Sequence, residues 1–259
     1  MCSRPTRASI SISSSAPAAL LPPRFPSRKG VTPVTSVFIP RQNPPLPEGW
    51  QQLYSAVLSD ALDAIGIWNQ AMSPKIRPLD ESLKLCGRAR TGQYMEVPFV
   101  AEGTNPYELE IAIVDDLKPG DVAVFSCGGS SRIAPWGSLL STATHARGAA
   151  GCITDGFVRD ILGIRELALP VFHAGIAPLD SKGRGQIQAV DVPVIVDGVR
   201  VEPGDLVFGD ADGVVVVPQA VEAEVLQRAF DKVNGEHHSM NELRAGGFLR
   251  DVYAKYGVL

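Results

Sequence analysis

The first 47 residues of this 259-residue chain contain no aspartate and no glutamate. They do contain Arg4, Arg7, Arg24, Arg28, Lys29 and Arg41, set among many serines and prolines. That is the composition of an organellar transit segment, of a disordered leader, or of upstream sequence translated from a mis-assigned start, and helix-breaking prolines count against the transit segment. The acidic balance, a formal net charge of -4 with a pI near 5.6, therefore belongs to residues 48–259. Such a charge speaks against nucleic acid or an anionic membrane as partner. No run of about 18 apolar residues exists to form a membrane span. The four cysteines, Cys2, Cys86, Cys127 and Cys152, form no CxxC and lie near no histidine pair. They read as reduced, buried thiols, not as a zinc or disulfide framework, which fits a cytoplasmic protein. An organellar location follows instead if the leader is a transit peptide. Gly128-Gly129 is followed by no Gly-Lys-Ser/Thr, and Gly183 and Gly185 lack a third glycine, so neither phosphate loop nor dinucleotide fingerprint is present.

What is present is a 45% hydrophobic chain in which strand-like and helix-like segments alternate. That pattern predicts a layered α/β domain over 48–259, preceded by the leader over 1–47. Leu53, Val57, Ala61 and Ile65 recur every four residues and predict a helix over 51–65, closed by Gly66. An extended segment is expected over 85–97 and a helix over 107–116. Two segments echo each other: Pro119-Gly120-Asp121 and Pro203-Gly204-Asp205 each form a turn that feeds an apolar strand. Proline presets the turn and glycine supplies the positive φ. Strands are further expected over 149–154 and 214–217, and helices over 221–233 and 239–244.

The chemistry concentrates in the middle of the chain. Trp136-Gly137-Ser138 opens a helix that Gly148 closes, with Ser138 as the expected N-cap. Free backbone N–H groups at that helix start can receive a carboxylate or phosphate. Asp155-Gly156-Phe157-Val158-Arg159-Asp160 then follows a short strand. Gly156 is read as a turn, with Arg159 and Asp160 beyond it. If helix start and strand end share one edge of the sheet, Arg159 can clamp a substrate carboxylate and Asp160 a divalent cation. Taken alone, an adjacent Arg-Asp pair is more often a solvated ion pair than a site.

Together, Trp136-Gly137-Ser138-Leu139-Leu140, the segment 155–160, Pro203-Gly204-Asp205 and the run from Gly209 to Pro218 resemble one family. It is that of the 4-hydroxy-4-methyl-2-oxoglutarate aldolases and the RraA-like regulators of ribonuclease activity. The resemblance runs from about Tyr54 to the C-terminus. It implies a compact α/β/α sandwich, a homotrimer or hexamer, and Mg²⁺- or Mn²⁺-dependent cleavage of a 4-hydroxy-2-oxo acid to pyruvate, with oxaloacetate decarboxylation as a side activity. It also implies roles for residues. Asp160 would hold the metal, Arg159 would bind substrate, and the amides of Ser138, Leu139 and Leu140 after Gly137 would hold the pyruvyl carboxylate. Glu236 would serve a neighbouring subunit's site. Two positions depart from the family: Ser138 and Gly163 stand where acids are usual. Their loss leaves a non-catalytic binding protein, like the ribonuclease regulators, as the rival reading. Glu166, about a turn beyond Gly163, is a candidate substitute.

Other polar residues have plainer readings. His173 is either site-lining or structural, and His145 is structural or solvent-facing. His237-His238 has no i, i+4 partner for zinc. Lys182 lies in a charged loop that offers nothing to desolvate a Schiff-base amine.

Overall fold

The computed structural model describes residues 44–257. The part of the expected leader before Pro44 lies outside them. In chain order, a 3₁₀ turn at Trp50–Gln52 precedes α1 (Ser55–Asp63), β1 (Arg77–Pro78) and β2 (Leu85–Glu96). Then come α2 (Glu108–Asp115), β3 (Asp121–Ser126), α3 (Ser138–Ala146), β4 (Gly151–Val158), α4 (Ile161–Glu166) and β5 (Val171–Ile176). Five strands follow, β6 (Gly185–Val190), β7 (Val194–Val196), β8 (Val199–Val201), β9 (Leu206–Gly209) and β10 (Val214–Val217). Helices α5 (Glu222–Arg244) and α6 (Leu249–Tyr256) end the chain.

The α/β expectation holds. Strands β2 to β5 pair in parallel through the α2, α3 and α4 crossovers, as β2-β3-β4-β5. The long strand β2 uses its other edge twice, pairing antiparallel with β9 at its start and with β6 at its end. The result is a nearly closed, barrel-like sheet with order β1-β5-β4-β3-β2-β9-β10 and β6 beside β2.

Alternation along the strands sorts side chains to two faces. On β3, Val122 and Val124 point inward to a valine-rich core closed by the β7–β8 hairpin, through Val194, Val196, Val199 and Val201. Ala123 and Phe125 point outward under α2, α3 and α4. On β10, Val215 and Val217 pack outward against α1 and α5. The layering is thus helices outside, sheet, and hairpin-filled interior. Each fully buried valine or leucine contributes about 1.5–3 kcal/mol.

Local departures from the sequence reading have local causes. The helix expected over 51–65 is split, because Leu53 and Tyr54 are extended. The buried Asp210 carboxylate fixes the start of α1 instead, accepting from Ser55 N at 2.8 Å and Ser55 Oγ at 2.7 Å. The two helices expected over 221–233 and 239–244 are one, α5. The Pro-Gly-Asp echo is structural: Gly120 and Gly204 have φ of 81° and 92°. Asp121 and Asp205 each accept, at 2.8 Å, the N–H three residues back, from Lys118 and Glu202.

Candidate functional site

The expected turn at Gly156 is absent. Strand β4 continues through it to Val158, so Arg159 leaves the carboxyl end of a parallel strand directly. Such ends are where open α/β sheets place ligands. Gly156 is required by packing: a Cβ there would lie 2.8 Å from Cys127 Sγ and 2.9 Å from Pro135 Cδ. Asp155 points elsewhere, its Oδ1 and Oδ2 accepting from Cys127 N at 2.5 Å and Gly129 N at 3.0 Å. It pins the Gly128-Gly129 loop.

The start of α3 is stitched to the end of β4. Trp136 forms a parallel bridge with Val158, and Arg159 N donates to Trp136 O at 3.0 Å. The Trp136 indole is fully buried and donates to Ser141 Oγ at 2.7 Å. The N-cap of α3 is Gly137, not Ser138, which is the first helical residue. A Cβ at 137 would sit 2.9 Å from Asp160 Oδ2 and 3.2 Å from Arg159 Cγ, so a side chain there would press on both. Asp160 adopts left-handed φ 57° and ψ 36°, a conformation that costs a non-glycine residue about 1 kcal/mol or more. Its Oδ2 lies against the α3 start, 3.4 Å from Ser138 N and 3.3 Å from Ser138 Oγ.

Gly137, Leu139, Leu140, Arg159 and Asp160 therefore line one cavity. Arg159 does not pair with its neighbour Asp160. Its ion-pair partner is Asp180, after β5, at 3.7 Å. Asp180 in turn accepts from the Tyr107 hydroxyl at 2.7 Å. Burial works to raise the Asp180 pKa. The Tyr107 hydroxyl, the Lys182 amide and the Arg159 guanidinium outweigh it and hold the carboxyl below its usual range. Burial, with Asp180 alongside, pushes Tyr107 up to about 12.

The same cavity holds an acid of the opposite character. Glu110, on α2, is buried, and its Oε2 accepts from Tyr94 OH at 2.5 Å and Ser181 Oγ at 3.4 Å. Burial pushes its pKa up to about 7, even though both hydroxyls pull the other way. One cavity thus contains a carboxylate kept charged and a carboxyl poised near neutrality. This is the separation that general acid–base chemistry uses.

Neither Glu110, Asp180, Tyr94 nor Tyr107 stands out in the sequence reading. Glu110 left one trace. It falls on the buried side of α2 with Ile113 and Val114, where an acid needs a partner. Ser138 and Gly163 are neighbours: a Cβ on Gly163 would lie 3.1 Å from Ser138 Cβ. Glu166 is exposed at the end of α4 and lines no part of the cavity. Glu236, on α5, accepts a hydrogen bond from Tyr54 and lies 3.8 Å from Lys232, outside the lining of this chain's cavity. His173 is a buried residue of β5 with an unpartnered Nδ1 and lines neither this cavity nor its neighbour. His145 is exposed, His238 stacks on Tyr256, and Lys182 is exposed. Cys86, Cys127 and Cys152 are free and buried. No helix among the described residues is long and apolar enough to cross a membrane.

No group of three or more His, Cys, Asp or Glu side chains converges among the described residues. Asp160 is exposed, weakly engaged, and backed by a glycine whose missing Cβ leaves its Oδ2 room. One such carboxylate, completed by water and substrate oxygens, suits Mg²⁺ or Mn²⁺.

A barrel-like α/β sheet with an Arg-Asp pair facing a helix start defines a class, and comparison with known proteins places the chain within it. Residues 55–216 match the family model described as "RraA-like: Aldolase/RraA", and the chain belongs to that family. A protein of Halalkalibacterium halodurans named "Putative 4-hydroxy-4-methyl-2-oxoglutarate aldolase" is 38% identical over 175 residues, 68% of this chain and 77% of that protein. The crystal structure of Streptomyces coelicolor RraAS2, described as an unusual member of the RNase ES inhibitor RraA protein family, is 34% identical. It has a TM-score of 0.66 and covers 76% of this chain and 98% of its own. An uncharacterized Pseudomonas syringae protein of known structure is 32% identical with a TM-score of 0.69, over 78% of this chain and 94% of its own.

Proposed function

We propose that this protein is a divalent-metal-dependent lyase that cleaves a 4-hydroxy-2-oxo acid into pyruvate and a second carbonyl compound. The observation that carries the reading is the meeting of Arg159, Asp160 and the first turn of α3 around one cavity that also holds Glu110 and Asp180. Relatives named as aldolases support a lyase as the broad class.

In the retro-aldol step the C3–C4 bond breaks and its electron pair stays on C3, giving the enolate of pyruvate. The C4 hydroxyl loses its proton and becomes a carbonyl, and a proton returns to C3. Arg159 clamps the C1 carboxylate, and the first-turn amides of Ser138, Leu139 and Leu140 complete its cradle, that of Ser138 shared with Asp160 Oδ2. Asp180, held by Tyr107, fixes the guanidinium. Asp160 holds the Mg²⁺ or Mn²⁺, which when bound supplies Lewis-acid stabilisation for charge on the 2-oxo oxygen. Glu110, with its pKa near 7, holds a proton at the cavity wall and can exchange it with substrate or water. The same enolate chemistry decarboxylates oxaloacetate. The working form is a homotrimer or hexamer in which Glu236 serves a neighbouring subunit's cavity. Reduced, buried cysteines fit a cytoplasmic setting.

The second reading is a non-catalytic regulator that binds a ribonuclease, as the name of the Streptomyces coelicolor relative suggests for that protein. Ser138 and Gly163, where the resemblance expects acids, favour it. Pyruvate release from 4-hydroxy-2-oxo acids and oxaloacetate separates the two. Release that EDTA abolishes, Mg²⁺ or Mn²⁺ restores, and Arg159→Ala or Asp160→Ala removes is the expected result. Equal inactivity of wild type and variants on every oxo acid overturns the lyase, and co-purification with a ribonuclease then supports the regulator.

A further inference from the structure

We infer that the cavity takes a 2-oxo acid with an apolar far end: a monocarboxylic 4-hydroxy-2-oxo acid bearing an alkyl or aryl arm, not a dicarboxylate. The inference rests on the lyase reading for which end of the substrate meets Arg159.

A second cavity of about 400 Å³ opens off the first, and Glu110, Leu139, Leu140 and Arg159 line both. A molecule held by Arg159 at one end therefore extends into it without leaving the protein surface. Beyond Arg159 its walls come from two helices. Tyr107, Ile111 and Val114 lie on the α2 side, and Leu139, Leu140 and Ala143 lie on α3. The space exceeds the roughly 150 Å³ that accommodates benzene, so it holds a phenyl ring or a branched alkyl chain. Leu139 and Ile111 stand out at its mouth as large apolar residues that are 83% and 44% exposed. An apolar arm laid between them would cover both.

Charge argues the same way. Arg159 is the one cation among the described residues lining the two cavities, and the substrate's C1 carboxylate uses it. The other charged groups of the annex are acids, Glu110 and Asp115. Asp115 already engages Arg147, whose Nε also donates to Asp115 O at 3.0 Å, and Arg147 does not line the annex. A second carboxylate placed in the annex would find no cation beyond the Arg159 that the C1 carboxylate already engages, and would face Glu110 and Asp115 among mainly apolar walls. A methylene placed there gains about fourfold in affinity.

The test uses equilibrium binding of non-cleavable 2-oxo acids to the full chain with Mg²⁺ present. Pyruvate, 2-oxohexanoate, 2-oxo-4-phenylbutanoate and 2-oxoglutarate are compared by calorimetry. We expect 2-oxohexanoate and 2-oxo-4-phenylbutanoate to bind at least about tenfold tighter than pyruvate and 2-oxoglutarate. In Ile111→Asp, on the exposed wall, the ratio of pyruvate to 2-oxohexanoate dissociation constants falls toward one. If 2-oxoglutarate binds as tightly as 2-oxohexanoate in wild type, the apolar-arm inference is overturned. Pyruvate release from a 4-hydroxy-2-oxo acid that is lost in Arg159→Ala would still uphold the lyase reading in that case. If no 2-oxo acid binds wild type, both fall. The chain-length comparison in wild type decides the matter even where Ile111→Asp does not fold.

Discussion

Ser138 and Gly163 face each other across the start of α3 and the body of α4, so close that a Cβ on Gly163 would lie 3.1 Å from Ser138 Cβ. Two positions 25 residues apart in the chain are thus one place beside Asp160, whose Oδ2 is 3.3 Å from Ser138 Oγ. An acid at either position would add negative charge to the same spot, so the two acids that the family resemblance leads one to expect would serve one place. Ser138→Glu is therefore expected to tighten Mn²⁺ binding by roughly tenfold, since a second carboxylate beside the first raises the attraction for a hard cation. Electron paramagnetic resonance titration of free Mn²⁺ measures this. Unchanged affinity would mean that the Asp160 carboxylate is not where the metal binds.

Gly137→Ala should damage the site without damaging the fold. The added Cβ meets Asp160 Oδ2 at 2.9 Å and Arg159 Cγ at 3.2 Å, so both side chains must shift. Displacement of about 1 Å in a positioned group costs on the order of a hundredfold in rate. Turnover of oxaloacetate measured beside the thermal midpoint separates the two effects. Unchanged turnover would show that the present positions of Arg159 and Asp160 are not required.

Asp210→Ala should destabilise the protein by about 2–3 kcal/mol, because it removes a charged acceptor from a buried N–H and a buried hydroxyl at once. Both belong to Ser55, the first residue of α1, and the Asp212 amide loses its partner as well. Urea unfolding gives the value. A loss under about 0.5 kcal/mol would mean that α1 does not depend on this cap.

Stability should carry two opposed pH signatures. Glu110 has its pKa raised from 4.5 to about 7, chiefly by burial, with Asp180 adding repulsion. Arg159 and the Tyr94 and Ser181 hydroxyls work in the opposite direction. Between those values the folded chain binds more protons than the unfolded one. The contribution is therefore complete below about pH 4.5 and disappears as pH rises through about 7. His173 is lowered from 6.5 to about 4 by burial and by Arg165, so its contribution is lost as pH falls through that window. The difference in unfolding free energy between wild type and Glu110→Gln should fall by up to a few kcal/mol from pH 4.5 to 7. Urea midpoints across that range test it, and a pH-independent difference would contradict the shift.

Much of this was legible in the chain because it is local. The Pro-Gly-Asp turns, the extended run of β2, the glycine-opened helix α3 and the Arg159-Asp160 pair each declare themselves within a few residues. The Glu110 carboxyl does not. Its partners, Tyr94 and Ser181, are 16 and 71 residues away, and only the sheet brings them together. Asp180 looks like any loop acid until β5 delivers it to Arg159. Leu53 fits a helical stripe with Val57, Ala61 and Ile65, yet the cap on Ser55 from Asp210, 155 residues on, starts the helix after it. Helical periodicity cannot register a constraint of that range.

The claim on which the rest depends is that Arg159 and Asp160 act as one anion-and-metal centre. A double-mutant cycle for oxalate, a mimic of the pyruvate enolate, tests it in saturating Mg²⁺, using Arg159→Ala, Asp160→Ala and the double variant. A shared centre predicts weaker binding in each single variant and a coupling energy of at least about 1 kcal/mol. Additive losses, or oxalate affinity that neither substitution changes, would contradict it.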